Sequence, residues 1–197
     1  KGIYISESGI FNHCVVEYAE TNINAGVSLQ VSNSHIKSGI NGIGSQGSAT
    51  IVNNTIARHG FSAITLNFAT ATIISGNTIT VRYAHGAIHL NDGSQAEITD
   101  NTFSVEMNPD AFGYWGILCR DEPRAHTSAT IYGNEITGFG TGIWVGEDSK
   151  VTINYNKIFG NQWGVTSDCS VVVDAENNWW GDASGPYHPT ENPNGLG

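Results

Sequence analysis

Apolar residues recur along this chain in short alternating runs, each closed by Gly, Asn, Ser or Asp. One series sets an apolar residue two places after a polar one, at Val15, Ile36, Ile56, Ile79, Phe103, Ile136, Ile158 and Trp180. Its steps are 21, 20, 23, 24, 33, 22 and 22 residues. A second series reads Ile-x-x-Asn: Ile51/Asn54, Ile74/Asn77, Ile98/Asn101, Ile131/Asn134 and Ile153/Asn156. A third pairs a small residue with an apolar one: Gly42-Ile43, Ala63-Ile64, Ala87-Ile88, Gly116-Ile117, Gly142-Ile143 and Gly164-Val165. Alternation over a few residues predicts strands, and the Gly and Asn clusters predict turns between them. Two or three strands per repeat at one phase describe a solenoid, because a single coil cannot bury its inward side chains alone. Stacked coils pair in parallel about 4.8 Å apart. The expectation is an all-β, right-handed parallel β-helix of about eight coils of roughly 22 residues, a single domain over residues 1–197. The step of 33 marks an inserted loop over 104–115.

Composition supports this reading. The 197 residues include 24 Gly and 20 Asn, and 34 Ile plus Val against 5 Leu and 1 Met. β-Branched side chains suit a pleated surface and Gly and Asn disfavour helix interiors, which excludes a helical bundle. The missing Leu frame argues against a leucine-rich repeat. With 8 Lys plus Arg against 18 Asp plus Glu, the net charge is −10, and no basic run offers a surface to nucleic acid. No predominantly apolar stretch has the length of a bilayer-spanning helix. A hydrophobic content of 39% with 5 Trp, 7 Tyr and 7 Phe is enough to bury a core.

At this point a resemblance emerges. Gly2-Ile3-Tyr4 followed by His13-Cys14-Val15-Val16-Glu17-Tyr18-Ala19 resembles the first coils of the pectin-lyase-like β-helix repeat family, and the Asn-x-Ile series its NosD-type coils. The closing Asn177-Asn178-Trp179-Trp180-Gly181-Asp182-Ala183-Ser184-Gly185-Pro186 is similar to a motif of secreted and cell-surface bacterial and archaeal members. The resemblance implies a secreted or cell-surface location and a segment of a longer protein, with other domains of the parent chain as neighbours. It identifies a fold rather than an activity.

Much of the unusual composition is then architecture. Asn54, Asn77, Asn101, Asn134 and Asn156 hold one position in successive coils, with Ser34 and His13 at the same phase, and are expected to form an amide ladder. Cys14, Cys119 and Cys169 form no C-x-x-C pair and read as buried or idle thiols.

Chemistry is sought where outward positions depart from the repeat. After each Gly/Ala-Ile step the first outward residue runs Thr65, His89, Leu118, Trp144, Thr166, and the second Asn67, Asn91, Arg120, Gly146, Asp168. Acids follow at Asp92, Asp121-Glu122 and Glu147-Asp148, and the inserted loop adds Glu106, Asp110, Tyr114 and Trp115. Sugar C–H faces stack on aromatic rings and hydroxyls pair with Asp, Asn, His and Arg. The expectation is a polysaccharide-binding face of His89, Asn91, Tyr114, Trp115, Arg120, Asp121 and Trp144. Asp92, Asp121, Glu122, Glu147 and Asp148 are candidate ligands for Ca2+, which takes oxygen donors and could bridge an acidic glycan. The competing reading of these acids is a solvated turn face that keeps the protein soluble.

Two alternatives stand beside binding. A polysaccharide lyase would use His89 and Arg120, with Ca2+ at Asp92 and Asp121; a glycoside hydrolase needs two carboxyl groups about 5–9.5 Å apart, such as Asp92 with Asp121. The signatures of the related enzymes are missing, since Arg120-Asp121-Glu122-Pro123-Arg124 and Asn108-Pro109-Asp110 only approximate them. A structural spacer demands nothing beyond the coils. An ice-binding array is disfavoured because its row, Thr50, Ile73, Glu97, Thr130, Thr152, is broken at Ile73 and Glu97.

Overall fold

The structure is a computed structural model that describes residues 2–82, 85–106, 114–120, 126–170 and 172–197. Among these residues are 22 strands and no helix, so no helix is long and apolar enough to cross a membrane. A representative coil contains Thr21–Ala25, Leu29–Ser32 and His35–Lys37, joined by short turns. Equivalent strands of successive coils pair in parallel and build sheets of eight, seven and seven strands, one for each side of the coil.

Register turns the sequence series into columns of inward side chains. In the first sheet Ile3, Ile23, Ile43, Ile64, Ile88, Ile117, Ile143 and Val165 are aligned partners. The second sheet aligns Phe11, Val31, Ile51, Ile74, Ile98, Ile131 and Ile153. The third aligns Val16, Ile36, Ile56, Ile79, Phe103, Ile136 and Ile158. From the second coil to the seventh these side chains are essentially inaccessible and form one continuous core. Each buried Ile contributes about 1.5–3 kcal/mol relative to exposure. At the two ends the columns are less covered. Ile5, Phe11 and Val16 are only partly buried, while Val173, Ala175 and Trp180 pack over the last coil.

The first coil differs from the sequence reading by one residue. Val16, not Val15, pairs with Ile36, and Val15 stays exposed. Two adjacent valines leave alternation unable to set the phase there, and pairing with the next coil decides it.

The Asn ladder forms and runs further than expected. Backbone N–H groups of Asn54, Asn77, Asn101 and Asn134 each donate to the Oδ1 of the next rung at 2.9 Å, and each side-chain Nδ2 donates to a carbonyl of the preceding coil. Ser34 begins the Asn contacts and Asn178 receives the N–H of Asn156. Cys14, rather than His13, takes the rung below Ser34, because its N–H donates to Ser34 Oγ. His13 holds the preceding position, where Asn33, Asn53, Gly76, Asp100, Gly133, Tyr155 and Asn177 all have positive φ as well. Glycine meets that left-handed requirement without a Cβ penalty, and Asn and Asp tolerate it.

Candidate functional site

The outward column of the first sheet assembles in the order read from the sequence. Thr65, His89, Leu118, Trp144 and Thr166 are aligned across Ser62–Asn67, Gly86–Asn91, Trp115–Cys119, Thr141–Val145 and Trp163–Ser167. Asn67 pairs with Asn91, whose Nδ2 donates to Asn67 Oδ1 at 3.1 Å. The N–H of Arg120 donates to the carbonyl of Leu90, which continues that second column.

These columns line a depression of about 650 Å3. Thr65, His89, Leu118 and Trp144 form its floor, and Asn67, Asn91, Asp92 and Arg120 follow along the strand ends. Phe61, His85 and Trp115 line the side where the strands begin. A second depression, of about 480 Å3, shares Phe61, Thr65 and Asn67 and extends to Thr21, Asn24 and Asn41. A third, of about 280 Å3, shares Thr21 and Asn24 and reaches Tyr4. Together they make a trough along seven coils, about 29 Å at one strand spacing per coil. Amides and hydroxyls line the stretch between Tyr4 and Phe61, and aromatic rings gather from Phe61 to Trp144.

His89 is at the centre and is only 5% exposed. Its ring lies edge-on to Phe61 at 5.7 Å, and Phe61 also meets His85 at 4.8 Å. Burial pushes its pKa down to about 4, helped by nearby His85 and Arg120, so the imidazole is neutral over the physiological range. Its Nε2 is buried with no hydrogen-bond partner. Gly86 makes room for that ring, since a Cβ there would lie 2.5 Å from Nε2. Trp144, half-buried, lies along its strand over Gly146, where a Cβ would come within 2.9 Å of the indole. The sheet therefore presents a recumbent aromatic platform.

Among the expected site residues, the structure brings His89, Asn91, Trp115, Arg120 and Trp144 to one trough, with Asp92 beside them. Tyr114 instead packs half-buried against the core. Asp121 and Glu122 lie outside the described residues, as does Asp110. Glu147 and Asp148 are exposed in the turn after Thr141–Val145 and do not line the depression. No group of three or more His, Cys, Asp or Glu able to hold a metal ion occurs among the described residues. The three cysteines are free; burial raises the Cys119 thiol to about 12, and Cys169 Sγ donates to the Gly146 carbonyl at 2.9 Å.

Phe61 and His85 were not singled out by the sequence. Their signal was present: two positions before the small residue of the third series stand Ile40, Phe61, His85 and Tyr114. Backbone bonds from Phe61 N–H to Ile40 and from Trp115 N–H to His85 confirm that these corner positions are in step. The second sheet carries a comparable depression of about 630 Å3, lined by Gln95, Glu97, Ser128, Thr130, Lys150 and Thr152 among others, but with no aromatic side chain. That makes it the weaker surface for a ring-shaped ligand.

No curated protein and no solved structure matches the chain. The family described as right handed beta helix region matches residues 1–179. With nearly the whole chain matched and coils stacked through three parallel sheets, the protein belongs to the right-handed β-helix family.

Proposed function

We propose that the first-sheet trough binds a polysaccharide, without catalysis, in a secreted or cell-surface setting. The observation that carries this reading is the row of adjoining depressions from Tyr4 to Trp144, in which amides and hydroxyls adjoin a cluster of aromatic side chains. Such a surface offers C–H stacking at its aromatic end and hydrogen bonds along its length to a linear glycan. Binding to a panel of pectin, alginate, xylan and host glycans, with and without Ca2+, tests it. Trp144→Ala should weaken any measured affinity about tenfold; an unchanged affinity would place binding elsewhere.

A polysaccharide lyase or glycoside hydrolase is the second reading. The unpaired Nε2 of buried His89, beside Arg120 and Asp92, is what favours it. Against it, an imidazole with a pKa near 4 is a weak proton acceptor at neutral pH, well below the range in which general bases work best. Unsaturated products absorbing in the ultraviolet, or new reducing ends, would establish catalysis.

A further inference from the structure

Outside the trough, and sharing no lining residue with it, is a cleft that the repeat pattern does not account for. It has a volume of about 280 Å3 and lies where the last coil meets the C-terminal segment. Trp163 enters it from the first sheet, in register with Thr141 and through it with Trp115 of the trough. Trp115 and Trp163 are thus two coils apart, about 10 Å at the usual strand spacing. The cleft also contains Gln162, which occupies the corner position that Phe61 and His85 hold in the trough. Trp180, Tyr187 and His188, beyond the matched repeats, line the other side.

Three properties specify what this cleft would hold. Its lining includes no Asp, Glu, Lys or Arg side chain, which favours an uncharged ligand over an ionic one. Trp163 and Tyr187 are each more than half exposed and make no ring contact with one another, so each is accessible to a ligand in the cleft. His188 Nδ1 accepts the N–H of Glu191 at 3.0 Å, which leaves Nε2 to carry the ring proton and donate it. A volume just below the usual range for drug-sized ligands suits one small ring.

We infer that this cleft receives the terminal, uncharged sugar residue of a glycan chain whose body lies in the trough. The inference rests on the trough being a glycan site, and it adds that the cleft beside the last coil reads a chain end. Aromatic contact with the terminal ring supplies affinity, and the donors of His188 and Gln162 set its orientation.

Calorimetry with cellohexaose, xylohexaose, mannohexaose and hexagalacturonate, and with a cyclic β-glucan that has no chain end, provides the test. At least one neutral hexasaccharide should bind more tightly than hexagalacturonate. Trp163→Ala and Tyr187→Ala should each weaken that hexasaccharide about five- to tenfold while changing cyclic glucan binding less than twofold. If Trp144→Ala weakens the hexasaccharide but both cleft variants bind as the parent does, the cleft inference falls and the trough stands. Equal losses for linear and cyclic ligands would also overturn chain-end recognition. Absence of binding by the parent protein to every probe would remove trough and cleft together. Unchanged circular dichroism and melting temperature of the cleft variants establish that a loss reflects contact rather than unfolding.

Discussion

Replacing Asn101 by Ala is the most direct challenge to the account of how the coils are held together. Its side chain is 1% exposed and takes part in four hydrogen bonds. Oδ1 accepts from the N–H and the Nδ2 of Asn77, both at 2.9 Å, while Nδ2 donates to the Ile74 carbonyl at 2.9 Å and to Asn134 Oδ1 at 3.0 Å. Not all partners are orphaned. Asn77 Nδ2 keeps the carbonyls of Ile51 and Ser75, and Asn134 Oδ1 keeps the backbone N–H of Asn101 itself. The buried N–H of Asn77 loses its acceptor, and the Ile74 carbonyl loses the amide. An unsatisfied buried group costs about 1–3 kcal/mol, so with the added void the variant should lose about 4 kcal/mol. Asn101→Ser should lose roughly half as much, because Ser34 shows that a hydroxyl can accept from the preceding rung. Urea unfolding followed by both tryptophan fluorescence and circular dichroism gives the midpoint, and coincident curves justify a two-state free energy for a repeat protein. A loss below about 1 kcal/mol for Asn101→Ala, no larger than for exposed Thr102→Ala, would refute the idea that the ladder is stabilising.

Acid should destabilise the fold through two buried histidines. His59 and His89 have folded-state pKa values lowered to about 4, burial being the main cause, against 6.5 for the unfolded chain. Between those values the unfolded state binds more protons, so stability falls as pH drops from 6.5 towards 4, by up to about 3 kcal/mol per histidine. His59→Phe should flatten this dependence in pH-resolved melts, since Phe139 occupies the equivalent place three residues after Ile136; an unaltered slope would exclude His59 as a source. Ala71 has φ 53 and an exposed side chain, so Ala71→Gly should raise stability by several tenths to about 1 kcal/mol, measurable as a higher urea midpoint. Cys119, fully buried with its thiol raised to about 12, should resist an aromatic disulfide reagent until the protein unfolds, whereas reaction in the native state at the rate of an exposed thiol would contradict its placement.

The number of coils, the inward Ile and Val columns, the amide ladder and the row Thr65, His89, Leu118, Trp144 were all legible in the sequence, because strand alternation and a nearly constant repeat length determine which residues share a column. Of the inserted loop expected over 104–115, Ser104 and Val105 belong to Thr102–Val105 and Trp115 opens Trp115–Cys119, while residues 107–113, like 121–125, lie outside those described. Depth and direction were not legible. Alternation assigned His89 to the outside, yet Phe61 and the space over Gly86 bury it and lower its pKa. Tyr114 and Phe61 hold the same corner position in different coils, but one packs on the core and the other lines the trough. Trp144 could stand away from the sheet or lie on it, and Gly146 gives it a surface to lie on. Sequence by itself determined the rows, since a repeat period is a property of the chain. Only tertiary structure decided which side chains line a cleft, because that depends on packing between neighbouring coils and on how the C-terminal segment closes over the last one.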